Sequence, residues 1–128
     1  VWTAVVQYSF PHAIFPLRIK NSLKLVLLFS KGPYDPEQSP HWFLDLIKGD
    51  SCPETKTLSQ LQQGVEEFEY LIDTFTNRGD LVVDPFLGTG TTAVASKRKD
   101  RRFIGSEILK DRYDLSLSRL GPPGSPET

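Results

Sequence analysis

One hundred and twenty-eight residues suffice for one domain with a real core, and 38% apolar with 24% charged residues excludes a disordered polyelectrolyte. Fifteen Lys and Arg against sixteen Asp and Glu leave a formal charge of -1, so any nucleic-acid contact must come from a local patch. The longest apolar run is the five residues Leu25 to Phe29, which excludes a membrane-spanning helix and a signal-peptide core. A single cysteine, Cys52, excludes an internal disulfide framework and fits a reducing, cytoplasmic compartment. Cys52, His12 and His41 are too scattered to read as a zinc site. With no methionine and an opening of Val-Trp-Thr-Ala-Val-Val, the chain reads as part of a longer protein.

Residues 1–10 are rich in β-branched and aromatic types and predict a strand ending before Pro11. Residues 11–21, with two prolines, read as a loop. Lys24 to Ser30 reads as a strand buried on both faces, pairing with the first as an antiparallel hairpin across a long connection. Residues 32–58 hold four prolines and two glycines and predict irregular structure or a binding loop, with one helical turn at Trp42 to Ile47. Tyr34, Trp42 and Phe43 make that loop the better place to touch DNA, with local core as the alternative. Val65, Phe68, Leu71, Ile72 and Phe75 then recur at helical spacing, with Glu66, Glu67, Glu69 and Asp73 on what reads as a solvated face. Asn77, Gly79 and Asp80 stop that helix.

Leu81 to Asp84 reads as a compact buried strand. It runs into a glycine turn and a helix from Thr91 to about Lys99; a strand over 102–108 and a helix over 111–120 follow, the latter with Tyr113, Leu117 and Leu120 on one side. Strand–helix–strand–helix predicts a parallel α/β sheet. Lys97, Arg98, Lys99, Arg101 and Arg102 suit a helix C-terminus better than a DNA patch. The proline- and glycine-rich tail over 121–128 should fray.

Chemistry concentrates in Asp84-Pro85-Phe86-Leu87-Gly88-Thr89-Gly90-Thr91-Thr92, with Glu107 following at the end of the next strand. Gly88-x-Gly90-x-x-Ala93 fits a nucleotide-binding crossover: glycines let the backbone approach a ligand, and the acid receives ribose hydroxyls. No Gly-Lys-Ser/Thr follows, which excludes a Walker phosphate loop. Asp84 would repel a pyrophosphate and attract a cationic ligand, so electrostatics favours S-adenosylmethionine over NAD.

Residues 79–92, then Arg102-Phe103-Ile104-Gly105-x-Glu107 and Tyr113, closely resemble the methyl-donor site of DNA methyltransferases that modify N6 of adenine or N4 of cytosine, enzymes of restriction–modification systems. The resemblance is specific over about 77–120 and reaches more loosely to Gln60–Phe75 and to residues 1–31. It implies a Rossmann-like α/β methyltransferase sheet, incomplete in this chain, with an antiparallel edge hairpin. The layout would be an edge strand pair over 1–31, a loop over 32–58, a cofactor-binding unit over 59–120 and a flexible tail over 121–128. It further implies S-adenosylmethionine as cofactor, DNA as partner, and no metal or membrane. Asp84, Pro85, Phe86, Gly88 and Gly90 would line the cofactor, Glu107 would take the ribose hydroxyls, and Thr91 or Thr92 would cap the following helix.

This sequence departs from the family at one point. The family's catalytic motif is Asp, Asn or Ser followed by Pro-Pro and an aromatic, and no such run occurs here. Pro122-Pro123 lies between glycines, and Gly32-Pro33-Tyr34 has one proline. No residue of this chain is therefore assigned as catalytic. In the permuted order of the family that motif would come from an upstream segment or a second chain, and without it the 128 residues should be inactive alone. Two central strands of the family's sheet would lie upstream as well, leaving the hairpin without an obvious neighbour among residues 81–108. A non-catalytic module that holds the donor or a partner is the alternative, and an NAD-dependent oxidoreductase the third.

Overall fold

The computed structural model describes residues 2–14, 19–33, 37, 43–49 and 64–121. Tyr34, His41, Trp42, Cys52, Gln60 and the tail beyond Gly121 lie outside the described residues. Two sheets form. In the first, strands β1 (Trp2–Ile14) and β2 (Ile19–Leu28) pair antiparallel, as expected, and β3 (Leu46–Gly49) adds to β1 in parallel.

The hairpin is longer than the prolines suggest. Pro11 cannot donate to a ladder, and the register breaks around it: Tyr8 to Pro11 stand opposite Ser22 alone, after which pairing resumes at His12 and Asn21. The bulge absorbs the proline, so the expected loop over 11–21 is strand at both ends.

The helical turn expected at Trp42 to Ile47 is also corrected. Leu46 to Gly49 is β3, because Ile47 can bury against β1 only in extended pairing, where Val6 lies opposite it. β3 thereby gives the hairpin the neighbour that residues 81–108 do not.

Alternation along β2 corrects the expectation of two buried faces. Leu23, Leu25 and Leu27 are exposed, while Val26 turns to a core of Ala4, Val6 and Ile47 that Phe43, Tyr70 and Leu71 complete. A period of two with one covered face is what β geometry dictates.

Helix α1 (Val65–Phe75) supplies that cover and packs against β3. Of its acidic face only Glu66 is exposed, as expected of a solvated one. Glu67 is buried against Gly49, and Lys24 of β2 lies near it. Burial pulls the Lys24 ammonium below its ordinary value, and the Glu67 charge opposes that. The other acids meet the cations at the end of helix α2 (Thr91–Arg98): Glu69 pairs with Arg98 at 3.0 Å, and Asp73 pairs with Lys99 and, at 3.2 Å, Arg101. Arg98, Lys99 and Arg101 of the basic cluster thus form a docking surface for α1.

The second sheet pairs β4 (Leu81–Asp84) with β5 (Arg102–Gly105) in parallel, confirming the predicted crossover through α2. A reciprocal pair of hydrogen bonds between Asn77 and Asp80 closes the turn before β4. β4 is not the buried strand expected. Leu81, Val83 and Ile104 are exposed, because α2 covers one face of this pair and no described element covers the other. Ala93, Ala95 and Ser96 bury on α2, small side chains that let it lie close to its neighbours.

Helix α3 (Lys110–Leu120) packs on α2. Ser116 is buried, whereas Tyr113 and Leu117 are exposed. No helix among the described residues is long and apolar enough to cross a membrane.

Candidate functional site

The residues singled out by their chemistry meet at the carboxyl ends of β4 and β5. Asp84 pairs with Gly105, so both segments leave the sheet at one level, the end at which open α/β sheets take ligands. The ladder continues one step: Ser106 N–H donates to the Asp84 carbonyl at 3.1 Å, and Leu87 N–H donates to the Ser106 carbonyl at 2.9 Å. The Asp84 carboxylate accepts the Phe86 N–H at 3.0 Å, which starts the turn. The Ser106 hydroxyl donates to the Pro85 carbonyl at 2.9 Å and ties the two strand ends together.

Gly88 and Gly90 both occupy the left-handed region, with φ of +56° and +84°. Side chains there are strained, so the sequence must place glycines for the chain to turn into α2. At Gly90 space is also closed: a Cβ would lie 2.8 Å from that of Ser116. Gly90 is itself the N-cap of α2, and no side chain caps the helix. The cap expected from Thr91 or Thr92 is therefore corrected. Thr91 is buried, with its hydroxyl 3.3 Å from the Arg119 guanidinium, and the Thr92 carbonyl accepts the Ser96 hydroxyl at 2.7 Å.

Glu107 faces this turn. One carboxylate oxygen accepts the Leu109 N–H at 2.9 Å and the other the Gly88 N–H at 2.8 Å. The Leu109 amide above all, then the Gly88 amide and the charge of Arg112, hold the carboxyl below its ordinary value, outweighing desolvation. A carboxylate offers about four acceptor directions, so two backbone donors leave capacity for hydroxyls. Phe86 and Ile108, at the two strand ends, are 87% and 96% exposed. Large apolar side chains so exposed fill no core.

Sequence reasoning missed Arg119. It reaches back from α3 to the Thr89 carbonyl at 2.7 Å, yet in the sequence it is only a cation at a helix C-terminus. Phe43, one of the aromatics considered for DNA, takes the local-core alternative. It stacks on Tyr70 at 6.2 Å and tilts against Phe75 at 5.1 Å. Among the described residues no group of three His, Cys, Asp or Glu is placed to hold a metal ion.

A parallel β–α–β–α unit with a glycine turn at one strand end and an acid at the next defines a Rossmann-like class of fold. The N6/N4 methyltransferase family model, described as DNA methylase, matches residues 53–118. The chain belongs to this family. It is 31% identical over 98 residues to the type II methyltransferase M.HindIII of Haemophilus influenzae, covering 70% of this chain and 32% of that protein. Among solved structures, the M1.HpyAVI–SAM complex superposes with a TM-score of 0.65 at 25% identity, covering 93% of this chain and 60% of that one. The cytosine-N4-specific PvuII DNA methyltransferase shares the fold with a TM-score of 0.73 at 19% identity, covering 97% of this chain and 52% of that one. The chain thus spans between about a third and three fifths of the length of these proteins.

Proposed function

We propose that this chain is the S-adenosylmethionine-binding part of a DNA methyltransferase that modifies an exocyclic amino group, N6 of adenine or N4 of cytosine. One observation carries the reading: Asp84, the bare backbone of Gly88 and Gly90, and Glu107 converge on one end of a parallel strand pair. The residues present fit that donor. The Glu107 carboxylate keeps acceptor capacity for two ribose hydroxyls, and the exposed Phe86 and Ile108 offer apolar surface to its flat or aliphatic parts. Asp84 presents negative charge where a cationic ligand gains and a pyrophosphate loses. When bound, S-adenosylmethionine supplies an electrophilic methyl group on a positively charged sulfur.

The chain's own residues bind and orient that donor: Gly88 and Gly90 by close backbone approach, Pro85 and Phe86 by walling the turn, Glu107 by hydrogen bonds, and Thr91 and Thr92 by forming the first turn of α2. The acceptor amine must also be oriented and lose a proton. The polar-Pro-Pro-aromatic run that would do this for an extruded base is absent from residues 1–128. We assign that task to another segment or chain, and the open face of β4 and β5 supports this division. The same absence favours a second reading, a donor-binding module without chemistry. Calorimetric titration with S-adenosylmethionine and with NAD tests the first step. Binding of the methyl donor, and weaker or no binding of NAD, is expected; tighter binding of NAD would overturn the proposal.

A further inference from the structure

The loop between β4 and α2 is held from two sides, and only one of them belongs to the donor-binding motif. Glu107 holds the Gly88 amide from the β5 side. From the other side Arg119, near the end of α3, donates through one guanidinium nitrogen to the Thr89 carbonyl at 2.7 Å, the Thr89 hydroxyl at 3.2 Å and the Thr91 hydroxyl at 3.3 Å. Ser116, one turn earlier on α3, closes against Gly90. We infer that Arg119 is a positioning residue for the methyl-donor loop, clamping Thr89 between the two left-handed glycines so that the loop is formed before the ligand arrives.

The physical case starts from Gly88 and Gly90. Two glycines flanking one residue give that residue unusual freedom, and a loop that must be ordered on binding loses affinity by the cost of ordering it. A charge-assisted bond to the middle carbonyl removes that freedom in the free protein. Arg119 is also half-buried under the loop, where burial lowers its affinity for a proton; a guanidinium stays charged there, which a lysine would do less securely. Its effect would reach the donor through the loop and not by contact.

This inference rests on the donor-binding reading of the loop, and the test separates the two. Amide hydrogen exchange of the free chain and calorimetric titration with S-adenosylmethionine are compared for the wild type, Arg119→Gln, Arg119→Lys and the control Lys97→Ala. Lys97, in the last turn of α2, donates to the carbonyl of Leu120, the residue after Arg119, at 2.9 Å, so its removal loosens the same end of α3 without touching the loop. Arg119→Gln is expected to speed exchange at Gly88 and Gly90 while leaving α1 unchanged, and to weaken donor binding about tenfold, with Arg119→Lys recovering to within about threefold of wild type. Lys97→Ala should leave loop exchange and affinity at wild-type values.

Unchanged loop exchange in Arg119→Gln would overturn the clamp, and so would uniformly faster exchange with wild-type affinity, the mark of a merely structural role. If Arg119→Gln does not fold, Arg119→Lys decides: loop exchange no faster than in Lys97→Ala overturns the clamp. A wild-type chain that binds no S-adenosylmethionine would defeat the donor-binding reading, and exchange at Gly88 and Gly90 would still decide the clamp.

Discussion

Glu107 and Gly88, nineteen residues apart, are joined by a 2.8 Å hydrogen bond in which the carboxylate accepts the loop amide. The same carboxylate accepts Leu109 N–H, so it organises both strand ends while facing the proposed ribose position. Glu107→Gln keeps one acceptor oxygen but sets an amide NH₂ against a backbone N–H. S-adenosylmethionine binding should weaken by about an order of magnitude with a modest fall in melting temperature. Titration and thermal melting of the one variant check both halves; a large loss of stability with intact affinity would assign Glu107 a structural role alone.

Acid should act through the same group. Its folded-state pKa lies below the ordinary 4.5, so its contribution to stability is complete above that value and is lost as pH falls below it. Melting temperatures of the wild type and Glu107→Gln, measured from neutral pH downward, should run parallel above the ordinary carboxylate range. They should converge below it, as the wild type loses its advantage.

Two glycines separate backbone strain from packing. Gly79 has a φ of +83° and open space around its Cβ direction, whereas Gly90 has a φ of +84° and meets Ser116. Alanine at either position costs about 1–2 kcal/mol in backbone strain. At Gly90 overpacking adds about 1–3 kcal/mol. Urea unfolding should rank Gly90→Ala well below Gly79→Ala, and only the former should impair donor binding.

Arg101 is the strongest tie between α1 and the second sheet. Its guanidinium donates to the Thr76 hydroxyl and carbonyl and to the Lys99 carbonyl, and it pairs with Asp73 while only 7% exposed. Arg101→Ala should cost about 1.5–3 kcal/mol in urea unfolding. Removing the half-exposed Arg98 should cost under about 1 kcal/mol.

Methyl transfer tests the reading of the whole chain. Residues 1–128 alone should incorporate no tritium from labelled donor into mixed-sequence DNA, because proximity and orientation of the acceptor can contribute about 7–11 kcal/mol of barrier lowering. Adding a polypeptide that carries the polar-Pro-Pro-aromatic motif should restore incorporation. Robust transfer by the chain alone would show that its catalytic groups lie within residues 1–128.

The sequence by itself determined the stretch from Asn77 to Glu107: a strand, a turn needing two glycines, a helix and a second strand. Those features follow from rules that act within a few residues, namely extended apolar runs, left-handed glycines and the short crossover of a parallel pair. The family followed from the same stretch. Tertiary structure alone decided who meets whom. Glu67, Glu69 and Asp73 read as a solvated face because helical spacing shows which residues share a side, not what lies opposite. The partners of Glu69 and Asp73, namely Arg98, Lys99 and Arg101, come from α2 and the turn after it, whereas Glu67 buries against Gly49 of β3. Leu46 to Gly49 became a strand only because β1 offered an edge to pair with, and Pro11 was tolerated only because a bulge could absorb it. Arg119 reached the loop through the docking of α3 on α2, a contact spanning thirty residues that no local pattern encodes.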